Sequence, residues 1–210
     1  MIDHHPRQQP EPQGLLRDLA SLDRVLYEAV TVTSTPTLDS ALRRLSAAAD
    51  HSKISLVIAA GLALRPGRSR RAAVLGVAAI GVASTTANLL GKRLVRRPRP
   101  HRAEDSPFPG RHVPMPASAS FPSGHTASAV AFAAAAGPVF PAVTVPLGLL
   151  ACAVGYSRVH TGVHYPGDVI AGAVLGTGAA ATVLATAAHW DRSGSANAVA
   201  RWLTRGTPNR

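Results

Sequence analysis

Near the amino terminus, apolar residues recur at helical spacing between polar ones. Residues 33–49 then predict a turn and a second helix, with Pro36 in an early helical position and Thr35 as its cap. Neither helix is apolar enough on all sides to span a bilayer, so we expect both to lie on its surface or beside a bundle. Four leucines define the apolar face of the first amphipathic helix: Leu15, Leu19, Leu22 and Leu26.

Longer stretches farther along the chain are apolar on all sides. Residues 72–91 carry no charge, and residues 168–190 carry none after their opening aspartate. Because a helix needs about 20 mainly apolar residues to cross a bilayer, both stretches predict transmembrane helices. Residues 139–156 are a third candidate, and residues 126–137 are a shorter fourth.

A fifth candidate span, residues 54–64, is short. It crosses a bilayer only if its helix begins upstream near Ser46, which brings Asp50, His51 and Lys53 to the interface. The pattern therefore predicts an all-α fold, a multi-pass transmembrane helical bundle of about five spans with N-terminal amphipathic helices.

Small residues recur along the last predicted span, at Gly172, Gly176 and Ala180, and this spacing favours close helix contacts in lipid. The alternative is a soluble, alanine-rich helical bundle, which a mean hydropathy of only +0.12 keeps open.

The amino-acid composition limits the classes of molecule and the kinds of site that this protein could have. The formal net charge of +11 favours an anionic partner: nucleic acid, a membrane surface or a phosphorylated substrate. The single cysteine, Cys152, excludes an internal disulfide and a cysteine metal cluster. The first residues are polar and rich in proline, and they lack the basic-then-apolar pattern of a signal peptide. The hydrophobic pattern and the composition together divide the chain into four expected segments. These are a disordered polar tail (1–14), amphipathic helices (15–50), a membrane-embedded domain (51–190) and a basic C-terminal tail (191–210).

Counting the crossings assigns the connectors to two faces of the membrane. Residues 92–125 and 157–168 share one face, whereas residues 65–71, 138–141 and the C-terminal tail share the other. The ionisable residues therefore gather on one side although they are scattered along the chain.

The first chemical segment is basic. Lys92 and Arg99 are seven residues apart, so both side chains face one point if the helix continues through two more turns. Pro98 and Pro100 fix the backbone around Arg99. Taken alone, this segment is also typical of a basic cluster that binds anionic lipid headgroups.

Two further segments carry candidate chemistry. Ser123 and Gly124 begin a helix, where unpaired backbone N–H groups favour an anion, and His125 lies beside that position. Farther on, His164 and Asp168 are four residues apart. An aspartate so placed can accept a hydrogen bond from the imidazole Nδ1–H, which fixes the tautomer and leaves Nε2 free as a nucleophile.

Together the three segments have the spacing K-x6-R-P, P-S-G-H and S-R-x5-H-x3-D. They read Lys92…Arg99-Pro100, Pro122-Ser123-Gly124-His125 and Ser157-Arg158…His164…Asp168. This pattern resembles the type 2 phosphatidic acid phosphatase family, whose wider superfamily includes bacterial acid phosphatases and vanadium haloperoxidases. The resemblance covers residues from about 50 to 190, so residues 51–190 are expected to be a phosphatase domain.

The resemblance implies a role for each matching residue. His164 is expected to be the nucleophile, Asp168 its orienting partner, and His125 the general acid that protonates the leaving oxygen. His160 falls on a variable position of the pattern, and we expect it to be structural or at the rim of the site. The residues implied to hold the phosphate are Lys92, Arg99, Ser123, Gly124 and Arg158.

The implied activity is metal-independent hydrolysis of a membrane lipid phosphate monoester or diphosphate through a phosphohistidine. Phosphatidic acid, phosphatidylglycerophosphate and polyprenyl phosphates are candidate substrates. No cofactor is expected, and no metal, because the long loop offers only the adjacent carboxylates Glu104 and Asp105. The alternatives are a vanadium-dependent haloperoxidase-like enzyme and a catalytically inactive lipid-binding membrane protein.

The resemblance also implies a location. The expected partners are the bilayer and a lipid phosphate, with no nucleic acid, and the oligomeric state stays open. The site is expected on the extracytoplasmic face of the cell membrane. The charge distribution points the other way, because the site-side loop carries seven Lys and Arg residues and residues 65–71 carry four. Several of these seven residues are expected to act in the site, which reduces the weight of the count as evidence for orientation.

Overall fold

The computed structural model describes residues 12–102 and 108–192, and these residues form helices and connecting loops without any strand. The α-helices are α1 (Pro12–Val32), α2 (Pro36–Ala48), α3 (Lys53–Ala63), α4 (Arg68–Thr86), α5 (Lys92–Leu94), α6 (Gly124–Ala136), α7 (Thr144–His160) and α8 (Pro166–Arg192). Short 3₁₀ turns lie at Asp50–Ser52, Pro109–Arg111 and Pro141–Val143, and one π-helical turn at Ala87–Gly91 connects α4 to α5.

Three helical segments are long and apolar enough to cross a membrane: Arg68–Leu89, Pro141–His160 and Pro166–Arg192. The predicted all-α, multi-pass bundle is therefore confirmed. The other two candidate spans form α3 and α6, whose 11 and 13 residues are fewer than the roughly 20 that a bilayer requires. Three of the five predicted spans are thus long and apolar enough to cross a bilayer.

Helix α6 lies at the centre of the bundle and contacts α4, α7 and α8. Small residues make its approach to α8 close. A Cβ added at Gly172 would lie 2.5 Å from the carbonyl oxygen of Ser123, and one at Gly176 would lie 2.4 Å from that of Ala127. The predicted close contact through small residues is confirmed, and it holds the first turn of α8 against the start of α6.

The outer surface of the long helices is apolar, as a lipid environment requires. Val145 and Leu149 on α7 are 69% and 67% exposed, and Val174 on α8 is 69% exposed. Buried residues on the inner surface are small, with Phe132 filling the space over Gly76. The helical bundle therefore has an alanine-rich interior and an outer surface rich in valine and leucine.

Both predicted N-terminal helices are present. The four leucines of α1 that define its apolar face are about half exposed, and Pro36 occupies the first turn of α2. Thr35 precedes α2 but makes no capping hydrogen bond, because its hydroxyl donates to Asp39 Oδ1 at 2.9 Å. Helix α1 begins at Pro12, inside the expected polar tail, while residues 1–11 and 193–210 lie outside the described residues.

The continuous helix from near Ser46 that the fifth span would require does not form. The chain breaks at Asp50–Ser52, where His51 and Ser52 adopt left-handed backbone angles with φ of 55° and 59°. Such angles are costly for residues other than glycine and are often found at functional sites. The break points the carboxylate of Asp50 towards α6, where it contacts His125.

Candidate active site

One cavity of about 500 Å³ opens at the end of the bundle where α4 and α7 end and α6 and α8 begin. Segments far apart in the sequence supply its walls. Ala47, Asp50, His51, Ser52, Ser84, Asn88, Arg99, Val113, Pro114, Met115, Pro116, Ser118, Gly124, His125, Ser128, Arg158 and His164 line it.

Five of the eight residues predicted for the site line this cavity: His164, His125, Arg99, Arg158 and Gly124. The structure thus brings together side chains up to 65 positions apart, as for Arg99 and His164. Asp168 and Ser123 are buried and do not line it, and the side chain of Lys92 lies outside the described part of the chain.

His164 lies between a carboxylate and a guanidinium. Its Nδ1 is 3.5 Å from Asp168 Oδ2, and its Nε2 is 3.3 Å from Arg99 Nη1. Since a guanidinium only donates hydrogen bonds, this contact makes Nε2 the acceptor and leaves the ring proton on Nδ1, facing the carboxylate. The lone pair of Nε2 is therefore directed towards Arg99, which lines the cavity together with His164.

Burial sets the protonation state of His164. The residue is 2% exposed, and this desolvation, with the nearby guanidiniums of Arg99 and Arg158, lowers the pKa of His164 to about 4. The hydrogen bond to Asp168 opposes the shift but does not cancel it. The imidazole is therefore neutral at pH 7, as a nitrogen nucleophile must be.

Asp168 is fully buried in the first turn of α8, as the sequence predicted. Its Oδ2 accepts hydrogen bonds from the Ser120 hydroxyl and, at 2.9 Å, from the backbone N–H of Tyr165. Its Oδ1 accepts from Arg97 Nη1 at 3.0 Å. These donors stabilise an ionised carboxylate in a buried position, where an unpaired charge would be costly.

His125 pairs with a carboxylate that the sequence did not predict for the site. Its Nε2 lies 2.8 Å from Asp50 Oδ1, at the start of α6. Burial and the neighbouring Arg158 lower the pKa of His125 to about 4, and the hydrogen bond and charge of Asp50 oppose this shift only in part. The imidazole is therefore neutral at pH 7, and Asp50 makes its protonated form, the form able to donate a proton, less costly.

Two guanidiniums are fixed at the cavity wall. Arg99 donates from Nε to the Ser118 carbonyl at 2.8 Å and from Nη1 to the Val163 carbonyl at 2.7 Å. The buried Arg158 donates from Nη1 to the hydroxyl of Ser46 at 2.6 Å, and its Nε makes no hydrogen bond with any described residue. The hydrogen bonds of both cations go to neutral groups, although Asp50 Oδ1 lies 3.8 Å from Arg158 Nη1. The charge of Arg99, and part of that of Arg158, therefore stays available to an anion.

The helix that was expected to carry Lys92 and Arg99 together ends early. Lys92 is the first residue of α5, which stops at Leu94, and Arg99 lies on a non-helical segment beyond it. Pro98 and Pro100 flank Arg99 there and are incompatible with a helix interior. The convergence of Arg99 on the cavity therefore comes from the loop and not from helical spacing.

Ser123 and Gly124 begin α6, as predicted. The buried hydroxyl of Ser123 accepts a hydrogen bond from the Thr126 hydroxyl at 3.0 Å and caps the helix. Gly124 faces the open cavity, with no atom within 4 Å of the position that a Cβ would occupy. The first turn of α6 thus presents its backbone to the space beside His164 and His125.

His160 lies apart from the cavity. It is 1% exposed, and its Nε2 contacts Thr35 Oγ1 at 3.0 Å and Asp39 Oδ1 at 3.2 Å. Arg111 binds the same Asp39 carboxylate at 2.9 Å. This cluster attaches the turn between α1 and α2 to the end of α7, which agrees with the structural alternative expected for His160.

Sequence reasoning missed the N-terminal contribution. Ser46 and Asp50 contact Arg158 and His125, and Asp23 on α1 binds Arg97 Nη2 at 2.6 Å. Ser120 was also not singled out. No spacing rule links these residues to the motifs, because their proximity arises only when α1 and α2 fold over the end of the bundle. Within residues 12–102 and 108–192, no group of three or more His, Cys, Asp or Glu side chains is arranged to hold a metal ion.

Comparison with known proteins gives a consistent result. Residues 72–192 match the sequence model of the PAP2 superfamily. The chain is 38% identical over 152 residues to a decaprenylphosphoryl-5-phosphoribose phosphatase of Mycobacterium tuberculosis, covering 70% of this chain and 80% of that protein. It is also 44% identical over 98 residues to a lipid A 1-phosphatase of Rhizobium johnstonii, covering 43% of this chain and 37% of the relative.

The fold is also similar to a solved structure. The crystal structure of Aquifex aeolicus LpxE superimposes with a TM-score of 0.63 at 25% sequence identity. The match covers 78% of this chain and 94% of that one.

Proposed function

This chain belongs to the PAP2 superfamily and is a membrane phosphatase of that family, and we propose that it hydrolyses a lipid phosphate through a phosphohistidine, without a metal ion. The observation that carries the proposal is the shared cavity of His164, His125, Arg99 and Arg158. It combines a neutral imidazole, a second imidazole beside a carboxylate, and two fixed cations. Its relatives act on lipid-linked phosphates, as their names state.

In the first step, His164 Nε2 attacks the phosphorus while the bond to the lipid oxygen breaks. The Nδ1–H of His164 faces Asp168, whose negative charge stabilises the imidazole as it becomes cationic. The negative charge of the bound phosphate, together with Asp50, favours protonation of His125, which then gives its proton to the departing lipid oxygen, so the lipid leaves as an alcohol. Asp50 acts as a positioning residue, because it holds His125 and favours its protonated form.

In the second step, water attacks the phosphohistidine. His125, now neutral, takes a proton from that water, and the bond from phosphorus to Nε2 breaks to release inorganic phosphate. Both steps pass through a phosphoryl group whose three equatorial oxygens share negative charge. We assign the binding of these oxygens to Arg99, Arg158 and the N–H groups at Gly124, with Lys92 and the capping residue Ser123 completing the set.

The substrate is proposed to be a phosphate monoester or diphosphate on a lipid of the phosphatidic acid, phosphatidylglycerophosphate or polyprenyl type. The cavity opens at the end of the bundle where a lipid phosphate at the membrane interface can reach it. We place this end on the extracytoplasmic face of the cell membrane. A labelling experiment tests the orientation: in a Cys152→Ser background, an impermeant maleimide added outside intact cells should label Ser34→Cys and not Pro66→Cys.

The decisive experiment is phosphate release from a panel of lipid phosphates by purified protein in detergent, with and without EDTA. We expect release from at least one lipid phosphate and an unchanged rate in EDTA. Loss of turnover in EDTA with recovery in magnesium would refute the metal-independent mechanism. An assay for bromide oxidation with added vanadate separates the haloperoxidase alternative.

A further inference from the structure

Helix α1 packs on the bundle through its polar side. Asp23 accepts hydrogen bonds from Arg97 Nη2 at 2.6 Å and from the backbone N–H of Gly167 at 2.7 Å. Tyr27 is buried, and its ring centre lies 5.3 Å from that of Tyr165. Surface helices of globular proteins usually turn their apolar face to the core. In α1 the apolar face points elsewhere.

That apolar face is a leucine stripe, which the described residues leave about half exposed. Its members are Leu15, Leu19, Leu22 and Leu26. Seen along the helix axis, Asp23 and Tyr27 lie about a quarter turn from the leucine stripe. The exposed residues Arg17, Arg24 and Glu28 lie about half a turn from it. The helix therefore has three sides: one on the bundle, one apolar and one charged.

Three such sides suit a helix that lies in the membrane interface beside a transmembrane bundle. Gly167, which donates to Asp23, is in the first turn of α8. Ile170 and Val174 follow about one and two turns farther along α8 and belong to the apolar outer surface of the bundle. Helix α1 is thus attached at the edge of the surface that faces lipid. The reverse orientation would turn the charged side of α1 to the hydrocarbon, at a high energetic cost.

Charge and area both favour the bilayer as the occupant of the leucine stripe. Helix α1 carries two arginines and three carboxylates, so no excess of positive charge attracts it to anionic headgroups. Its apolar side is what binds, and zwitterionic lipid is sufficient. A second copy of the chain would need an interface of about 800 Å² on each partner, which four half-exposed leucines do not supply.

Helix α1 is also connected to the proposed nucleophile. Arg97, which Asp23 binds, donates to Asp168 Oδ1 at 3.0 Å, and Asp168 faces His164. Asp23 reaches Arg97 only while α1 stays attached to this end of the bundle. A bilayer that holds the leucine stripe therefore also holds Asp23 against Arg97.

We propose that the leucine stripe of α1 binds the bilayer surface on the side of the site, and that this contact activates phosphoryl transfer by holding Asp23 on Arg97. The activation rests on the proposed phosphatase function, whereas the bilayer contact does not. The protein is then a faster phosphatase with α1 seated in lipid than with α1 detached from it.

Fluorescence in nanodiscs of zwitterionic phosphatidylcholine tests the bilayer contact without any activity. In a Cys152→Ser background, an environment-sensitive fluorophore is attached at Leu19→Cys on the leucine stripe or at Arg24→Cys on the charged side. Spin-labelled phosphatidylcholine should quench the first fluorophore and leave the second nearly unchanged. Equal quenching at both positions, or at neither, would overturn the contact. Disulfide-linked dimers of Leu22→Cys in cell membranes would also overturn it, because they assign the stripe to a second copy.

Turnover of a water-soluble aryl phosphate in the same nanodiscs tests the activation, because the bilayer does not concentrate this substrate. Leu19→Gln combined with Leu22→Gln makes the stripe polar and keeps the helix propensity. This double variant should lower kcat at least about fivefold, the lower end of typical coupling between two sites. Arg17→Gln combined with Arg24→Gln is the matched control on the charged side, and it should keep the parental kcat.

Asp23→Ala separates the coupling from damage to the fold. It removes the link to Arg97, so adding the two glutamine substitutions to it should cause no further loss of kcat. A further fivefold loss in that background would overturn the activation, as would parental kcat in the double glutamine variant alone. If the parent protein hydrolyses neither the aryl phosphate nor any lipid phosphate, the proposed function and the activation are both wrong. The quenching result then still tests the bilayer contact.

Discussion

Arg97 Nη1 lies 3.0 Å from Asp168 Oδ1, so the carboxylate that faces His164 is itself paired with a cation. Arg97 is in turn bound by Asp23 of α1 at 2.6 Å and lies over the ring of Tyr165, 4.1 Å from its centre. Residues that precede the matched family region therefore reach the proposed nucleophile through only two intermediates. The order is Asp23, Arg97, Asp168 and His164.

Replacing Arg97 should weaken catalysis without removing it. In Arg97→Gln, the Asp168 carboxylate loses a charged donor, so the fixed orientation of His164 is less well maintained. A charged hydrogen bond of about 1.5–3 kcal/mol predicts roughly a tenfold to hundredfold fall in kcat with a smaller change in KM. Arg97→Lys should recover part of the rate, and the exposed neighbour Arg96→Gln should match the parent protein. Parental kcat in Arg97→Gln would remove Arg97 from the positioning role.

The two histidines near the end of α7 should differ sharply. His164→Ala should lose essentially all turnover and any trapped phosphoenzyme, because Nε2 of His164 is the proposed nucleophile. His160→Ala should keep most of its rate but lower thermal stability, because it removes contacts to Thr35 and Asp39. Asp168→Asn should fold and turn over about 10²–10⁴-fold more slowly, by analogy with triad aspartates.

Acid-quenched single turnover with a radiolabelled lipid phosphate measures all three variants. The adduct should be acid-labile and base-stable, as expected for phosphohistidine. An adduct that persists in His164→Ala but is absent from His160→Ala would reverse the assignment of the nucleophile.

Asp50 and His125 should affect the same chemical step. If Asp50 supports proton donation by His125, both His125→Ala and Asp50→Asn will slow the hydrolysis of a lipid alkyl phosphate. General acid catalysis is typically worth about 10²–10⁴-fold, and Asp50→Asn should cost less than His125→Ala. An aryl phosphate with a good leaving group needs little protonation, so its rate should fall far less. Equal losses on both substrate types would contradict the assignment.

The titration of His164 should occur in acid. Burial together with Arg99 and Arg158 lowers the pKa of His164 to about 4, so its imidazole should stay neutral as the pH falls from 7 to 5. The unfolded chain binds this proton near pH 6.5, so the free energy of unfolding should decrease as the pH falls from 6.5 towards 4. NMR titration of ¹⁵N-labelled histidines, with His164→Ala to assign the signal, measures the pKa. A value near 6.5 would contradict the buried, neutral nucleophile.

Two glycines of α8 provide a test of packing. A Cβ at Gly176 would meet the Ala127 carbonyl oxygen at 2.4 Å, whereas one at Gly178 has no atom within 4 Å. Gly176→Ala should therefore force α6 and α8 apart and lower the unfolding temperature in detergent. Gly178→Ala should be neutral or stabilising by about 0.4–1 kcal/mol, because alanine restricts the unfolded chain. Equal unfolding temperatures for the two variants would show that the helix contact tolerates the extra methyl group.

The sequence alone determined the fold class, the amphipathic α1 and α2, and the residues of the three motifs. These features follow from local rules: the period of apolar residues predicts amphipathic or all-apolar helices, and Ser123 and Gly124 predict the start of a helix where α6 begins. The motif spacing also predicts His164 and Asp168 as a pair, and their side chains lie 3.5 Å apart.

Tertiary structure alone decided where the helices stop and what surrounds the motifs. The break at Asp50–Ser52 interrupts the continuous helix that the fifth span would require, and it brings Asp50 to His125. Helix α5 ended at Leu94, so a loop carries Arg99 to His164. Such contacts join residues far apart in the chain, and their energies depend on burial and on charges from other helices. No local pattern of residues contains that information, which is why the roles of Asp23, Ser46 and Asp50 emerge only in the assembled bundle.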